Sequence, residues 1–118
     1  MKEFLLVFRT DAAANETAPS PEQMQERMKY WQDWIGGIAA QNKLASSGNR
    51  LGAEGRVIKP NNVITNGPYV EIKEAIGGYI IVKAASIDEA AALADGCPIY
   101  AANGSVEVRL VIPMDENA

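Results

Sequence analysis

Alternating apolar positions predict three main strands along this chain. Residues 3 to 9, EFLLVFR, are apolar on both alternating sets of positions. Residues 77 to 85, GGYIIVKAA, repeat this two-sided pattern, and residues 105 to 113, SVEVRLVIP, form the last strand. A strand that is apolar on both faces is expected to be covered on both faces.

A long helix is predicted after the first strand. Ser20, Pro21 and Gln23 have the residue types of an N-cap, a first helical position and a capping box. Apolar side chains follow at steps of four and three residues, which places them on one helical face. The members of this stripe are Met24, Met28, Trp31, Ile35 and Ile38, and the helix is expected to run to about residue 42.

A second, shorter helix is predicted before the last strand. Ser86 and Glu89 have the spacing of a capping box, and alanines supply most of the apolar face that follows. Gly96 and Pro98 are expected to end this helix.

Turn residues dominate the middle of the chain. Residues 44 to 55, LASSGNRLGAEG, are interpreted as an irregular link. Residues 56 to 59 and 63 to 65, RVIK and VIT, flank a Pro-Asn-Asn turn and predict a hairpin.

The order of these elements predicts the fold class. With the extra hairpin set aside, the order is βαββαβ, that of a ferredoxin-like α+β domain over residues 1 to 113, with residues 114 to 118 as a tail. Two helices cover only one face of such a sheet, whereas the strands are apolar on both. We therefore expect a homodimer through the sheet face, in the manner of a dimeric α/β barrel.

Composition excludes several kinds of function. The net charge is −4 and the 11 basic residues are scattered, so nucleic acid is not an expected partner. The chain has no histidine and one cysteine, which excludes Ser–His–Asp and Cys–His machinery, and we expect no metal and no cofactor. The apolar run near the N-terminus is too short for a signal peptide or membrane span, which favours a cytoplasmic protein.

The stretch TNGPYVEIKEAIGGYIIV, residues 65 to 82, holds the most unusual polar groups. Residues 66 to 68, Asn-Gly-Pro, are expected to form a tight turn, and the alternative is a pocket rim that offers the Asn66 amide to a ligand. Glu71, Lys73 and Glu74 form a solvated charge cluster, or Lys73 forms an ion pair with Glu71 or Glu107 at a pocket mouth.

Two further residues have a structural and a functional interpretation. Arg109 either forms a pair with Glu107 at the sheet edge or the dimer interface, or faces inward and holds a ligand carboxylate. Trp34, with Tyr30, either extends the core or lines a pocket. Cys97 is expected to be a small buried apolar residue. The candidate ligand-binding residues are therefore Asn66, Tyr69, Glu71, Lys73, Arg109 and Trp34.

Residues 65 to 98 resemble the signature of the YCII-related family in its DGPF branch. That branch reads TDGPF-x-E-x-KE-x-x-GG, followed by a DEA helix that ends in CP and by a VEVR strand, and this chain departs from it at Asn66 and Tyr69. The resemblance implies a dimeric α/β barrel with a pocket. The association of such proteins with extracytoplasmic-function sigma factors implies a role in regulation.

These observations lead to two hypotheses for the function, from different classes of protein. The first is a small-molecule-binding or sensing domain of the YCII/DGPF type, linked to sigma-factor regulation. The alternative is a cofactor-independent small-molecule enzyme, such as a lyase, isomerase or oxygenase-like barrel, that uses carboxylate, lysine and arginine groups. The His–Asp pair of the wider family has no counterpart here, because the chain lacks histidine.

Overall fold

The computed structural model describes residues 1–10, 20–52, 54–67 and 75–115, and only the backbone of residues 65–67. Its elements, in chain order, are β1 (Lys2–Thr10), α1 (Pro21–Ala40), β2 (Leu44–Arg50), β3 (Gly55–Lys59), β4 (Val63–Gly67), β5 (Ala75–Ala84), α2 (Ile87–Leu93) and β6 (Ser105–Leu110). Short 3₁₀ turns occupy Pro60–Asn62 and Pro98–Ala102.

The fold is a ferredoxin-like α+β domain, as the order of elements predicted. An antiparallel sheet has the strand order β2-β5-β1-β6, and β3 and β4 form a separate two-stranded sheet. The β3–β4 hairpin is thus an insertion between the second and third strands of the main sheet. No described helix is both long and apolar enough to cross a membrane.

The segment predicted as an irregular link contains a strand, so that prediction was wrong for β2. Its pairing with β5 is interrupted by register shifts on either side of Ser46. Gly48 has φ +61°, and a Cβ there would stand 1.7 Å from the Tyr79 carbonyl oxygen. The turn residues therefore serve a bulged edge strand, which has no continuous alternating pattern.

Helix α1 begins as its sequence predicts. The Gln23 N–H donates to the Ser20 hydroxyl at 3.2 Å, and the Ser20 N–H donates to the Gln23 side chain at 3.0 Å. The predicted stripe, however, packs on the sheet only in its second half. Met24 and Met28 are 46% and 55% exposed. Trp31, Trp34, Ile35 and Ile38 are the α1 side chains in the core.

The core lies between the two helices and one face of the sheet. Phe4, Leu6, Ile80 and Val82 supply its largest fully buried side chains. Phe8 makes edge contacts with two tryptophans of α1, at ring-centroid distances of 4.8 and 5.7 Å. Such aromatic pairs add about 0.5–1.5 kcal/mol each beyond the area they bury.

The other face of the sheet is not covered by either helix. Leu5 and Val7 of β1 point to this side, and they lie opposite Ile81 and Tyr79 of β5. We call this surface the open sheet face. It is the second apolar side that the two-sided strands predicted, and within the described part of the chain both helices pack on the opposite side.

The predicted hairpin is present, and it includes two of the residues that were predicted to form a turn. Asn66 and Gly67 lie in β4, where they pair with Arg56 and Gly55 of β3. Pro68 lies outside the described residues.

Candidate functional site

The predicted site residues fall into three groups. Trp34 packs on the helix-covered side of the sheet, whereas Arg109 lies opposite Leu5 on the open sheet face. The backbone of Asn66 lies in β4, and its side chain is not among those that the structure describes. Tyr69, Glu71 and Lys73 also lie outside the described residues. Trp34 and Arg109 therefore do not meet in one pocket within the chain.

A charged cluster connects β1 and β6 on the open sheet face. The Glu107 carboxylate accepts from the Arg9 Nε at 3.2 Å and from the Arg109 Nη1 at 3.3 Å. We call these three side chains the Arg–Glu–Arg cluster. The pairing of Arg109 with Glu107 is one of the two arrangements that the sequence predicted. The Arg109 side chain is 71% exposed within one chain, and its second predicted arrangement, in which it faces into a dimeric barrel, stays a prediction.

Both guanidinium groups favour the ionised form of Glu107. The hydrogen bond from Arg109 and then that from Arg9 hold the pKa of the Glu107 carboxyl below its ordinary value. The cluster thus combines two cations with one anion and has a formal charge of +1. Arg109 donates one N–H to Glu107, and its fork of N–H groups extends into solvent. An anion can approach it there.

Sequence reasoning singled out Glu107 and Arg109 but missed Arg9. A signal for Arg9 was present, because it follows Leu5 and Val7 on the same alternating set of β1 positions. Only the pairing register of β1 with β6 brings it beside Glu107, and that register cannot be read from one strand alone.

A groove lies on the other side of the molecule, between α1 and α2. Its volume is about 420 Å³, and Trp34, Gly37 and Ala92 are part of its lining. At its edge, the Lys43 ammonium contacts the Glu89 carboxylate at 3.0 Å. The hydrogen bond from Lys43 lowers the pKa of Glu89.

Trp34 is mainly a core residue with one edge in this groove. Its indole N–H donates to the Leu93 carbonyl at 3.2 Å, so the polar group is used in joining α1 to α2. Its ring contacts Phe8 and Trp31. Tyr30 behaves differently from the prediction of a core or pocket residue. It is 55% exposed and donates to Glu26 on its own helix.

Cys97 is a buried thiol, as predicted. It is 3% exposed, and burial raises the pKa of the thiol to about 11. At neutral pH the group is protonated, and a thiol is a poor nucleophile compared with a thiolate. Elsewhere among the side chains that the structure describes, no group of three or more carboxylates and thiols is placed to hold a metal ion.

Comparison with known proteins assigns the family. No curated protein matches the chain. The model of the YCII-related domain matches residues 4–115, which include all of α1 and α2 and the whole four-stranded sheet apart from the first residues of β1. The chain therefore belongs to the YCII-related domain family.

Proposed function

We propose that this YCII-related protein is a small-molecule-binding or sensing domain of the DGPF branch, and that it acts as a homodimer built through the open sheet face. Its ligand is an organic anion with an apolar body, such as an aromatic carboxylic acid. The single observation that supports this ligand class most directly is the Arg–Glu–Arg cluster, which lies beside the apolar side chains of Leu5 and Ile81 on the open sheet face.

The geometry of the open sheet face suits such a molecule. Arg109 lies directly opposite Leu5, and Glu107 lies opposite Val7. A carboxylate at the exposed guanidinium group can accept charge-assisted hydrogen bonds, because arginine presents its donors in a planar fork. The apolar body then lies along Leu5 and Ile81, which share one cross-strand row.

A second subunit strengthens this site. Closing the open sheet face against another protein surface removes water from the cluster, and an ion pair is stronger where the local dielectric constant is lower. The Arg109 side chain is 71% exposed beyond its bond to Glu107, so a ligand carboxylate can reach its remaining N–H donors.

The first test is a thermal-shift screen followed by calorimetry with aromatic carboxylic acids and their uncharged amides. We expect acids to raise the unfolding temperature and amides to have little effect. Arg109→Ala should weaken binding of the best acid at least about tenfold, because a hydrogen bond to a charged group contributes about 1.5–3 kcal/mol. Lys73→Ala, at the candidate position outside the described residues, should also weaken binding.

Lys29→Ala is the matched control, because it removes an exposed positive charge from α1, on the helix side of the sheet. It should leave the dissociation constant unchanged. Equal affinity of the wild type, Arg109→Ala and Lys73→Ala for the acid would contradict the proposed site. Conversion of the bound acid, followed by NMR, would instead favour the cofactor-independent enzyme.

The regulatory part of the proposal concerns a sigma factor as partner. If the domain senses the anion for such a partner, the ligand must change the affinity between the two proteins. Titration of an extracytoplasmic-function sigma factor from the same organism, with and without the best acid, measures that change. An identical affinity in both titrations would remove the regulatory link and leave the ligand site to be judged by calorimetry.

A further inference from the structure

The main sheet ends in two edge strands of different character. At one edge, β2 is rich in Ser, Gly and Asn, and two register shifts interrupt its pairing with β5. Bulges of this kind protect an edge from pairing with another chain. At the other edge, β6 pairs with β1 without interruption from Phe4 to Arg9, and it has no second neighbour among the described strands. The edge at β6 is therefore the one open to a further strand.

The backbone of β6 directs alternate residues toward this edge. In an antiparallel pair, every second residue directs both its N–H and its C=O group toward the neighbouring strand. The Val111 N–H donates to the Glu3 carbonyl at 2.9 Å, so the odd-numbered residues of β6 face β1 with their backbone groups. The even-numbered residues direct theirs to the outer side, and these are Val106, Val108 and Leu110. We call this row of outward backbone groups the β6 edge.

The side chains of β6 indicate which strand fits this edge. Glu107 and Arg109 lie on the open sheet face, and the apolar side chains lie on the helix side. Leu110 is 44% exposed, and Val106 and Val108 are half-buried. A matching strand therefore needs apolar residues on one face and one charge of each sign on the other, because directly opposed side chains interact across strands. The sequence of β6 itself meets both requirements.

One two-fold register of two β6 strands satisfies these requirements together. Placing Val108 opposite Val108 of a second copy matches outward backbone groups with outward backbone groups. Glu107 then lies opposite Arg109 of the second copy, and Arg109 lies opposite Glu107. On the helix side, Val106 lies opposite Leu110. A register centred on Glu107 or on Arg109 would instead oppose two like charges, which is destabilising.

We propose that the β6 edges of two copies of this chain pair antiparallel in the register centred on Val108, which joins two sheets into one continuous sheet. A single strand pair buries less surface than a sheet face, so two open-face dimers should form a tetramer only at higher protein concentration. The inference goes beyond the proposed function and needs no ligand. It has one consequence for the ligand site, because Glu107 of the second copy and a ligand carboxylate compete for the Arg109 guanidinium group.

The test is a charge exchange followed by sedimentation equilibrium, without added acid, from micromolar to millimolar concentration. Arg109→Glu and Glu107→Arg each place like charges opposite one another, and each should raise the tetramer dissociation constant at least about tenfold. An equimolar mixture of the two variants should associate as the wild type does, because every charge then faces one of opposite sign. Lys29→Glu is the matched control, since it makes the same change of charge on exposed α1 and should leave the constant unchanged.

Hydrogen exchange of the wild type gives a readout that does not depend on a variant. The outward amides of Val106, Val108 and Leu110 should become protected as the concentration rises through the dissociation constant. The amides of Glu107 and Arg109 face β1 and should be protected at every concentration. Protection of the outward amides that does not vary with concentration would overturn the inference.

Three sedimentation results would also overturn it. These are a wild type that does not associate beyond the dimer, equal constants for Arg109→Glu and Lys29→Glu, and a mixture of the two charge variants that does not associate. The Ile81→Lys variant separates this contact from the open sheet face. With Ile81→Lys as the background, the same charge variants should have the same effects on association of monomers into dimers. Edge pairing in that background supports the β6 contact even where the open-face dimer fails.

Discussion

Gly48 and Gly36 differ in whether the surrounding structure leaves room for a side chain. A Cβ added at Gly48 would stand 1.7 Å from the Tyr79 carbonyl oxygen, at a φ of +61° that side chains disfavour. A Cβ added at Gly36, within α1, would meet nothing within 4 Å. The same substitution should therefore have opposite effects at the two positions.

We expect Gly48→Ala to lower the free energy of unfolding by about 2 kcal/mol or more, because both the clash and the positive φ oppose it. Gly36→Ala should raise it by about 0.5–1 kcal/mol, since alanine has the higher helix propensity. Urea denaturation of both variants measures the difference. Equal changes of the same sign would show that the bulge in β2 is not needed for the fold.

At the scale of elements, the sequence predicted those segments whose signals are local. Ser20 and Gln23 predicted the start of α1, and two-sided apolar patterns predicted β1 and β5. The strand β2 was missed, because its bulge at Gly48 removes the alternation on which strand prediction depends. Likewise, the pairing of Asn66 in β4 depends on β3, and turn-forming residue types alone indicated a bend.

The apolar stripe of α1 shows the same limit of periodicity. The spacing gives Met28 and Ile38 equal status, but Ile38 is 3% exposed and Met28 is 55% exposed. Periodicity identifies a face of a helix, and only the tertiary structure determines how much of that face is covered.

This difference within one stripe is measurable. Ile38→Ala should lower the free energy of unfolding by about 2–4 kcal/mol, because it leaves a cavity in the core. Met28→Ala should change it by less than about 1 kcal/mol in the monomer, because an exposed methionine loses little packing. Chemical denaturation at low protein concentration tests both. A cost at Met28 equal to that at Ile38 would indicate that the first half of α1 is covered.

At the scale of the whole molecule, the domain has one layer of helices and one sheet. Its smallest dimension is 18 Å. Packed layers lie about 10 Å apart, so this dimension accommodates one layer of helices and one sheet. Leu5, Val7 and Ile81 lie on the sheet face that neither helix covers, where Val7 is 8% exposed and Leu5 and Ile81 are half-buried. Their sequence pattern is that of strands covered on both faces. A second layer on this face would match that pattern, and the proposed homodimer provides one.

We expect light scattering at micromolar concentration to give twice the 12.7 kDa of one chain. Ile81→Lys should convert the protein to a folded monomer, because the open sheet face tolerates a lysine in water but not at an apolar interface. Ile87→Lys is the matched control, since Ile87 is 50% exposed on α2. The Ile87→Lys variant should still have the mass of a dimer, because helix α2 packs on the other side of the sheet. A wild-type mass of one chain would contradict the homodimer. A dimer that survives Ile81→Lys but not Ile87→Lys would show that the interface does not use the open sheet face.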